Sequence, residues 1–491
     1  MTTPSDNAFT QSVNALVAKI NAATQTKSSL FEQAEIYFQG AQSQQRVIQQ
    51  LTRVVKEKHK DLDSAKNDIQ KNHLRELHNN AKKELKDETV KQARQRYARL
   101  KYLKQICTDI IQLCEGRDWQ ETQQKSAKVL TTLLLLCPHE GNNVAPAHQR
   151  CKPLYKAVLS LRLLDQLLTS EDVENQYVVS RFHSSSRFSA PSNKSAVLNL
   201  FQRDVARPLV SAALLQDIGM QHPEIQRLLK GSDGSFNPFR VLEKDVRIPL
   251  LIMNHEQTMD YVSLGLGTEE YDEENDDSPE YVQRKAHFDK NENNRYRLTQ
   301  SMLNDAIKPK EALGSTLKAV QIYTSIVLST KPKFNVADLP KASKVVLHSA
   351  QKGALTLSSA NGLQKIVGHF PMGYGVVFGP ADAQSMVPTN YAYAVVNALN
   401  PKHANEPHCL IITTLDTHHR TGKQFTLPQQ QNLYFEPVYQ LFSKTPAATL
   451  KAVAEKIAIT LDQPKNQETL PTYWTVQGYF HFKKQQNLWP Q

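Results

Sequence analysis

From Ala41 to Cys114 the chain contains neither proline nor glycine, so nothing in its backbone chemistry interrupts a helix across that whole stretch. Ile48, Leu51, Val55, Leu62, Ala65 and Ile69 recur at spacings near three and four, the period of an amphipathic helix. Leu74, Leu77, Ala81, Leu85, Val90, Ala93, Tyr97 and Leu100 carry the stripe on after a phase shift. The shift near Asn72 and the polar pair Asn79-Asn80 are candidate breaks, and Lys58 falls at a core-like position. The segment reads either as an antiparallel helical hairpin or as a coiled coil that dimerises.

The rest is also helical for most of its length. Trp119 to Cys137 reads as a helix that stops before Pro138, and Pro153 to Leu168 as another with Leu154, Ala157, Val158, Leu161, Leu164 and Leu168 on one face. The Ser-rich stretch His183 to Asn193 reads as a linker. Helix then resumes to Ser349, interrupted at Gly231–Gly234 and at the acidic run Glu269 to Glu280, a solvated loop that lacks the ligand pattern of an EF-hand. Beyond Ile366 the character changes. Gly375–Phe378, Tyr391–Val396 and Cys409–Thr413 are short, β-prone and separated by turn residues, which predicts a small antiparallel sheet. Pro437–Phe442 and Ala447–Leu461 return to helix, and Tyr473–Gln491 is an aromatic, basic tail suited to a terminal strand or to packing on the body. The expected fold is therefore mainly α with a small antiparallel β element near the C-terminus.

Composition removes several function classes. Hydrophobic residues make up 40% of the chain, mean hydropathy is −0.51, and the most apolar run, Val129 to Cys137, is far short of the roughly 20 residues a membrane span needs. The N-terminal residues show no basic and apolar signal regions, so a cytoplasmic location is expected. Five scattered cysteines, none in a CxxC pair, argue against a disulfide framework. The net charge of +11 permits an anionic partner. Lys and Arg alternate with Asp and Glu along Arg53–Lys104 as on a solvated helix face, and no nucleic-acid motif is present, so nucleic acid is not an expected partner. Residues of zinc-ligand type occur at Cys137, His139, His148 and Cys151, and His418-His419 lie near Asp416; neither set has a metal-site spacing that sequence alone supports.

Three stretches, in order, resemble HD-GYP domains, helical metal phosphohydrolases many of which hydrolyse cyclic-di-GMP. Ser211–Met220 (SAALLQDIGM) is similar to the family's apolar run followed by His-Asp-Ile-Gly, with Asp217, Ile218 and Gly219 kept and Gln216 in place of the histidine. Leu317–Pro332 (LKAVQIYTSIVLSTKP) resembles the helix that carries a metal-binding aspartate two residues before a tyrosine and then Arg-Pro. Tyr323 and Lys331-Pro332 fit, while Gln321 stands at the aspartate position. Gly368–Val377 (GHFPMGYGVV) with Tyr391–Pro407 is similar to the appended β element. The paired His-His-Glu and Gly-Tyr-Pro are absent; Asn254-His255-Glu256 is the one segment like them, and His255 could equally match the lone histidine between the two motifs. The resemblance spans residues 194 to 422, under half the chain.

The resemblance implies a helical bundle whose metal site has lost its ligands. A hydrolytic centre needs anionic or imidazole ligands to hold cations and lower the pKa of a bound water. Glutamine offers only a neutral carbonyl oxygen, and Asp217 with His255 is too small a set. Gln216, Asp217 and Gln321 are expected to hydrogen-bond one another where a metal once sat, or else Asp217 caps a local turn with the glutamines half exposed. No cofactor is expected.

The expected organisation is an N-terminal helical arm or coiled coil over residues 1–115, a helical connector and loop over 116–193, a degenerate HD-GYP-like bundle over 194–365, a β element over 366–430, and a C-terminal helix and tail over 431–491. The function this implies is a non-catalytic bacterial signalling adaptor or sensor. Its partners would be proteins bound through the N-terminal helices, a homodimer among them, and a cyclic dinucleotide in a retained pocket formed by Gln216, Asp217, His255, Glu256, Gln321, Tyr323 and Lys331. Two alternatives stand beside it: an active metal-dependent phosphohydrolase whose site draws on Asp217, His255 and further ligands such as His183 or His287, and a coiled-coil structural protein.

Overall fold

The computed structural model describes residues 6–21, 29–184, 187–190, 197–271, 278–380, 388–414, 420–461 and 470–489. After a short helix α1 (Ala8–Ile20), the long uninterrupted stretch folds as α2 (Leu30–Asp63) and α3 (Asp68–Cys114). A capping box between Ser29 and Glu32 starts α2, and the Asn67 side chain, accepting from the Gln70 N–H, starts α3. The break thus falls at residues 64–67, ahead of the Asn72 and Asn79-Asn80 sites suggested by the pattern. Of the two readings of this stretch, the hairpin forms within one chain.

Its seam follows heptad spacing through Ala41, Gln44, Ile48, Leu51, Val55, Lys58 and Leu62 on α2, all half-buried. On α3 it runs through Leu74, His78, Ala81, Leu85, Glu88, Gln92, Arg96 and Arg99. The sequence stripe through Val90, Ala93 and Tyr97 is therefore displaced: these three are exposed, and polar side chains take the seam near the body. Between Phe38 and Leu100 the only buried residues are His78 and Ala81, so this part of the hairpin projects as an arm, about 35 Å of α2 at 1.5 Å per residue.

The last turns of α3, from Leu100 to Cys114, enter the body. There they meet α4 (Trp119–Leu135) and α5 (Val144–Thr169). The latter begins nine residues before the predicted start and contains Pro153 in its interior. It is buried on all sides, from Leu154 through Leu168, because α1, α3, α4 and three later helices surround it. These later helices are α7 (Arg207–Leu215), α11 (Ala312–Val327) and α13 (Leu357–Val367). Between them the chain forms α6 (Gln176–Ser184), α8 (Pro223–Lys230), α9 (Lys244–Asp260), α10 (Pro279–Asp305) and α12 (Ala342–Gln351). One apolar core runs from Val13 to Leu427; it draws on α1 to α7, α10 to α13 and one face of the β element.

The β element has the predicted strands and two more: β1 (Gly375–Phe378), β2 (Ala392–Ala398), β3 (His408–Ile411), β4 (Gln424–Thr426) and β5 (Tyr473–Trp474), ordered β4-β3-β2-β1-β5 and antiparallel throughout. Both faces are covered. Val376, Phe378, Ala394, Val396 and Ile411 join the main core, while the alternate residues Val377, Tyr393, Val395 and Leu410 join a second core with α14 (Glu436–Phe442) and α15 (Ala447–Leu461). The tail supplies β5, then α16 (Gln477–Phe480) and Trp489, whose indole N–H donates to the Asn397 carbonyl at 2.8 Å. No helix among the described residues is long and apolar enough to cross a membrane.

Candidate functional site

Helices α7 and α11 both pack on α5, and Gln216 and Asp217 stand at the C-terminal end of α7. Asp217 heads a short 3-10 turn (Ile218–Gln221) but makes no capping hydrogen bond with its side chain. The turn lies hard against α9. Gly219 donates its N–H to Thr258 Oγ1 at 3.1 Å, and any side chain at 219 would strike the α9 backbone at Asn254 and Thr258. The glycine of the Asp-Ile-Gly motif thus allows this close approach.

The residue that organises the site is Lys156 of α5. Its buried ammonium donates to Asp217 Oδ2 at 2.6 Å and to Gln216 Oε1 at 3.2 Å. Lys152, one turn earlier, and Lys318 of α11 also act on Asp217. Burial would raise the Asp217 carboxyl, but Lys156, then Lys152 and Lys318, overcome it and hold the group below the usual carboxylate range. Burial brings Lys152 down to about 8 against the pull of Asp217, with Lys156 adding to the depression. Burial lowers Lys318 in the same way. Three lysines against one carboxylate leave two uncompensated positive charges, and the Asp217 side chain keeps 29% of its exposure.

The other predicted site residues divide around this centre. Gln321 is half-buried on α11 and makes no hydrogen bond with Gln216 or Asp217, so the expected three-residue network does not form; Lys156 joins two of its members instead. His255 is half-buried and Glu256 exposed, whereas their neighbour Asn254 turns inward and donates from Nδ2 to the Gln216 carbonyl at 3.3 Å. Tyr323 is buried with its hydroxyl against that of Tyr155, and burial raises both phenols. Lys331 is exposed in the loop after α11.

Sequence reasoning missed the three lysines. Their signal was present in α5, where Lys152 and Lys156, four residues apart, flank the start of the apolar run from Leu154 to Leu168.

Among the described residues no three His, Cys, Asp or Glu side chains stand close enough to hold a metal ion. Cys137 and Cys151 meet thiol to thiol, and His139 and His148 both pack on Phe334, at 5.7 and 4.7 Å between ring centroids. His287 is exposed on α10; Asp416, His418 and His419, the His183 side chain and residues 272–277 of the acidic run lie outside the described residues.

A second cluster ties the Ser-rich stretch to the body. Arg187 is buried and donates from Nε to Asp165 Oδ1 at 2.9 Å and from its terminal nitrogens to both oxygens of Glu115. Arg162 adds a hydrogen bond of 3.0 Å to Glu115 and an ion pair of 3.1 Å with Asp165, and Gln202 donates to Glu115 at 2.7 Å. Burial alone would raise Glu115, but Arg187 and Arg162 hold it below its ordinary value. The described part of the expected linker is therefore locked in place.

No protein-family model, curated protein or solved structure matches this chain.

Proposed function

We propose that the chain is a non-catalytic signalling adaptor or sensor in which the position of a former metal centre is held by a lysine. The observation that carries this is the Lys156 ammonium, which reaches both residues of the Gln216-Asp217 pair. A fixed organic cation satisfies Asp217 electrostatically, as a metal would, yet it has no open coordination position at which a water could be activated. The two positive charges left over on Lys152 and Lys318 suit a phosphate-bearing ligand, and a cyclic dinucleotide is the class that the HD-GYP resemblance implies. Protein partners would engage the arm, which exposes Val47, Ile69, Val90 and Tyr97. A cytoplasmic setting fits this role.

The test is elemental analysis for iron, manganese and zinc on protein purified without chelator, with a cyclic-di-GMP hydrolysis assay on the same sample. The expected result is no turnover and no stoichiometric metal. Near-stoichiometric metal accompanied by turnover would establish the phosphohydrolase reading in its place.

A further inference from the structure

A cleft of about 520 Å³ opens where the root of the arm meets the body, between α2 and α3 on one side and His222 and α9 on the other. Arg96 and Arg99 stand one turn apart on α3 and line it. Each is fixed through Nε, which donates at 3.0 Å to the carbonyl of Leu266 for Arg96 and of Gly265 for Arg99. These carbonyls end a π-helical turn (Tyr261–Leu266), where backbone acceptors lack helical partners. Arg99 also lies over the Tyr37 ring, 5.0 Å from its centroid. Gly267, at φ +65°, leaves room for Arg96; a side chain there would run into the guanidinium.

Holding a guanidinium by Nε removes much of its rotamer freedom and leaves its terminal nitrogens available. Among the described residues those of Arg96 and Arg99 make no hydrogen bond. Two pre-oriented forks one helical turn apart match the oxygens of a phosphate, and little ordering cost remains when it binds. The rest of the lining supplies different chemistry. Gln257 offers an amide donor and acceptor, Gln92, whose Nε2 already donates to the Gln44 carbonyl and to Glu88 Oε1 at 3.3 Å each, offers its amide oxygen, and the His222 ring, packed edge-on against Phe38 at 5.4 Å, offers a flat surface. Asp260 is the carboxylate in the lining and leaves the pair of arginines in excess. The volume lies within the range of small-molecule sites.

We propose that this cleft binds a nucleotide, with its phosphate on Arg96 and Arg99 and its base between the Gln92 and Gln257 amides and His222. The site is separate from the lysine centre and does not depend on the reading given to it. Because α2 and α3 form one wall and α9 the other, the nucleotide bridges the arm and the body.

The test is calorimetric titration of the full-length protein with GMP, AMP, cyclic-di-GMP and inorganic phosphate. The variants are Arg96→Gln/Arg99→Gln and, at the lysine centre, Lys152→Gln/Lys318→Gln. We expect at least one nucleotide to bind and inorganic phosphate to bind at least tenfold more weakly. The arginine variant should lose tenfold or more in nucleotide affinity and the lysine variant should keep it. Gln257→Glu, a surface change that leaves the Nε bonds intact, should weaken binding similarly and covers the case in which the arginine variant fails to fold. Absence of nucleotide binding, equal affinity for inorganic phosphate, or affinity that survives the arginine or Gln257 changes overturns the proposal. Affinity lost only in the lysine variant also overturns it and moves the ligand to the lysine centre.

Discussion

Two clusters of charge share helix α5, where Lys156 stands six residues before Arg162, and they differ in their arithmetic. Glu115, Asp165, Arg162 and Arg187 sum to zero, and none of their side chains is more than 6% exposed. Arg162 also lines a cavity of about 230 Å³, wide enough for the waters that its remaining donors require. Asp217 with Lys156, Lys152 and Lys318 sums to two positive charges and stays partly open to solvent. The first cluster is completed by its own chain and does structural work. The second keeps an excess of positive charge around its one carboxylate. Buried charge by itself therefore says little about function; the sign and size of the imbalance, together with solvent access, tell the two apart.

The comparison breaks most readily at the balanced cluster. Arg187→Ala leaves Glu115 and Asp165 short of a partner in a closed site, and should cost about 3–5 kcal/mol in urea or guanidinium unfolding. A loss below about 1 kcal/mol would mean that the cluster does not lock the Ser-rich stretch. Arg187→Lys should rescue little, because one ammonium cannot serve two carboxylates through three nitrogens.

Lys156→Met tests the other cluster in the same assay. It removes a charge-assisted bond to Asp217, but Lys152 and Lys318 still face the carboxylate, so the loss should be smaller, about 2 kcal/mol. A loss equal to that of Arg187→Ala would show that the lysines are not in surplus. The same variant, soaked with manganese or zinc, should remain metal-poor, since Gln216 and Gln321 are weak ligands.

Acid sharpens the contrast from a third direction. Glu115 and Asp217 are both held below the ordinary carboxylate range, so neither carboxylate should titrate between pH 8 and pH 5. His148 does respond in that window. Its Nδ1 lies 2.7 Å from the Ser329 carbonyl and burial brings it down to about 4. Its folded value lies below the unfolded one, so its stability contribution is complete above about pH 6.5 and is lost as pH falls toward 4. At pH 5 the loss should be about 2 kcal/mol, and His148→Asn should remove that share of the slope in urea midpoints taken at pH 7 and pH 5, leaving the shares of His139 and His369, which burial also depresses.

How much of this was legible follows from the range of the interactions concerned. The strands at Gly375–Phe378 and Tyr391–Val396 and the helix over Ala447–Leu461 were readable because local periodicity and turn residues define them. The hairpin was readable as a helix pair, but its turn was misplaced: Asn67 starts α3 by a cap with Gln70, a signal weaker in the pattern than the break in apolar phase at Asn72. Val90 and Tyr97 left the seam because α3 there meets polar residues of the cleft rather than apolar ones of α2. The motif around Asp217 is local to the end of α7, whereas its partner Lys156 lies 61 residues away on another helix. No spacing rule links them. The lysines of α5 were visible only as charges beside its apolar run, a feature that signals partial burial without naming the partner.

The smallest effect is the most discriminating, because it changes sign. Lys152 is depressed to about 8 by burial, against an unfolded value of about 10.4. A base lowered on folding withholds stability below its folded pKa and returns it as pH rises from about 8 to about 10.4. Lys152→Met should therefore stabilise the unliganded protein at pH 7, by about 1 kcal/mol once partial solvent access is allowed for, and this gain should vanish by about pH 10.5. An anion at the centre reverses the order. It favours the charged form of Lys152, so the wild type should rise in stability with added phosphate-bearing ligand while the variant does not. Binding should take up protons between pH 8 and pH 9, which calorimetry in buffers of different ionisation enthalpy reads directly. If Lys152→Met is destabilising at pH 7, the lysine is already satisfied within the fold. The surplus that separates this cluster from the one at Arg187 is then not real.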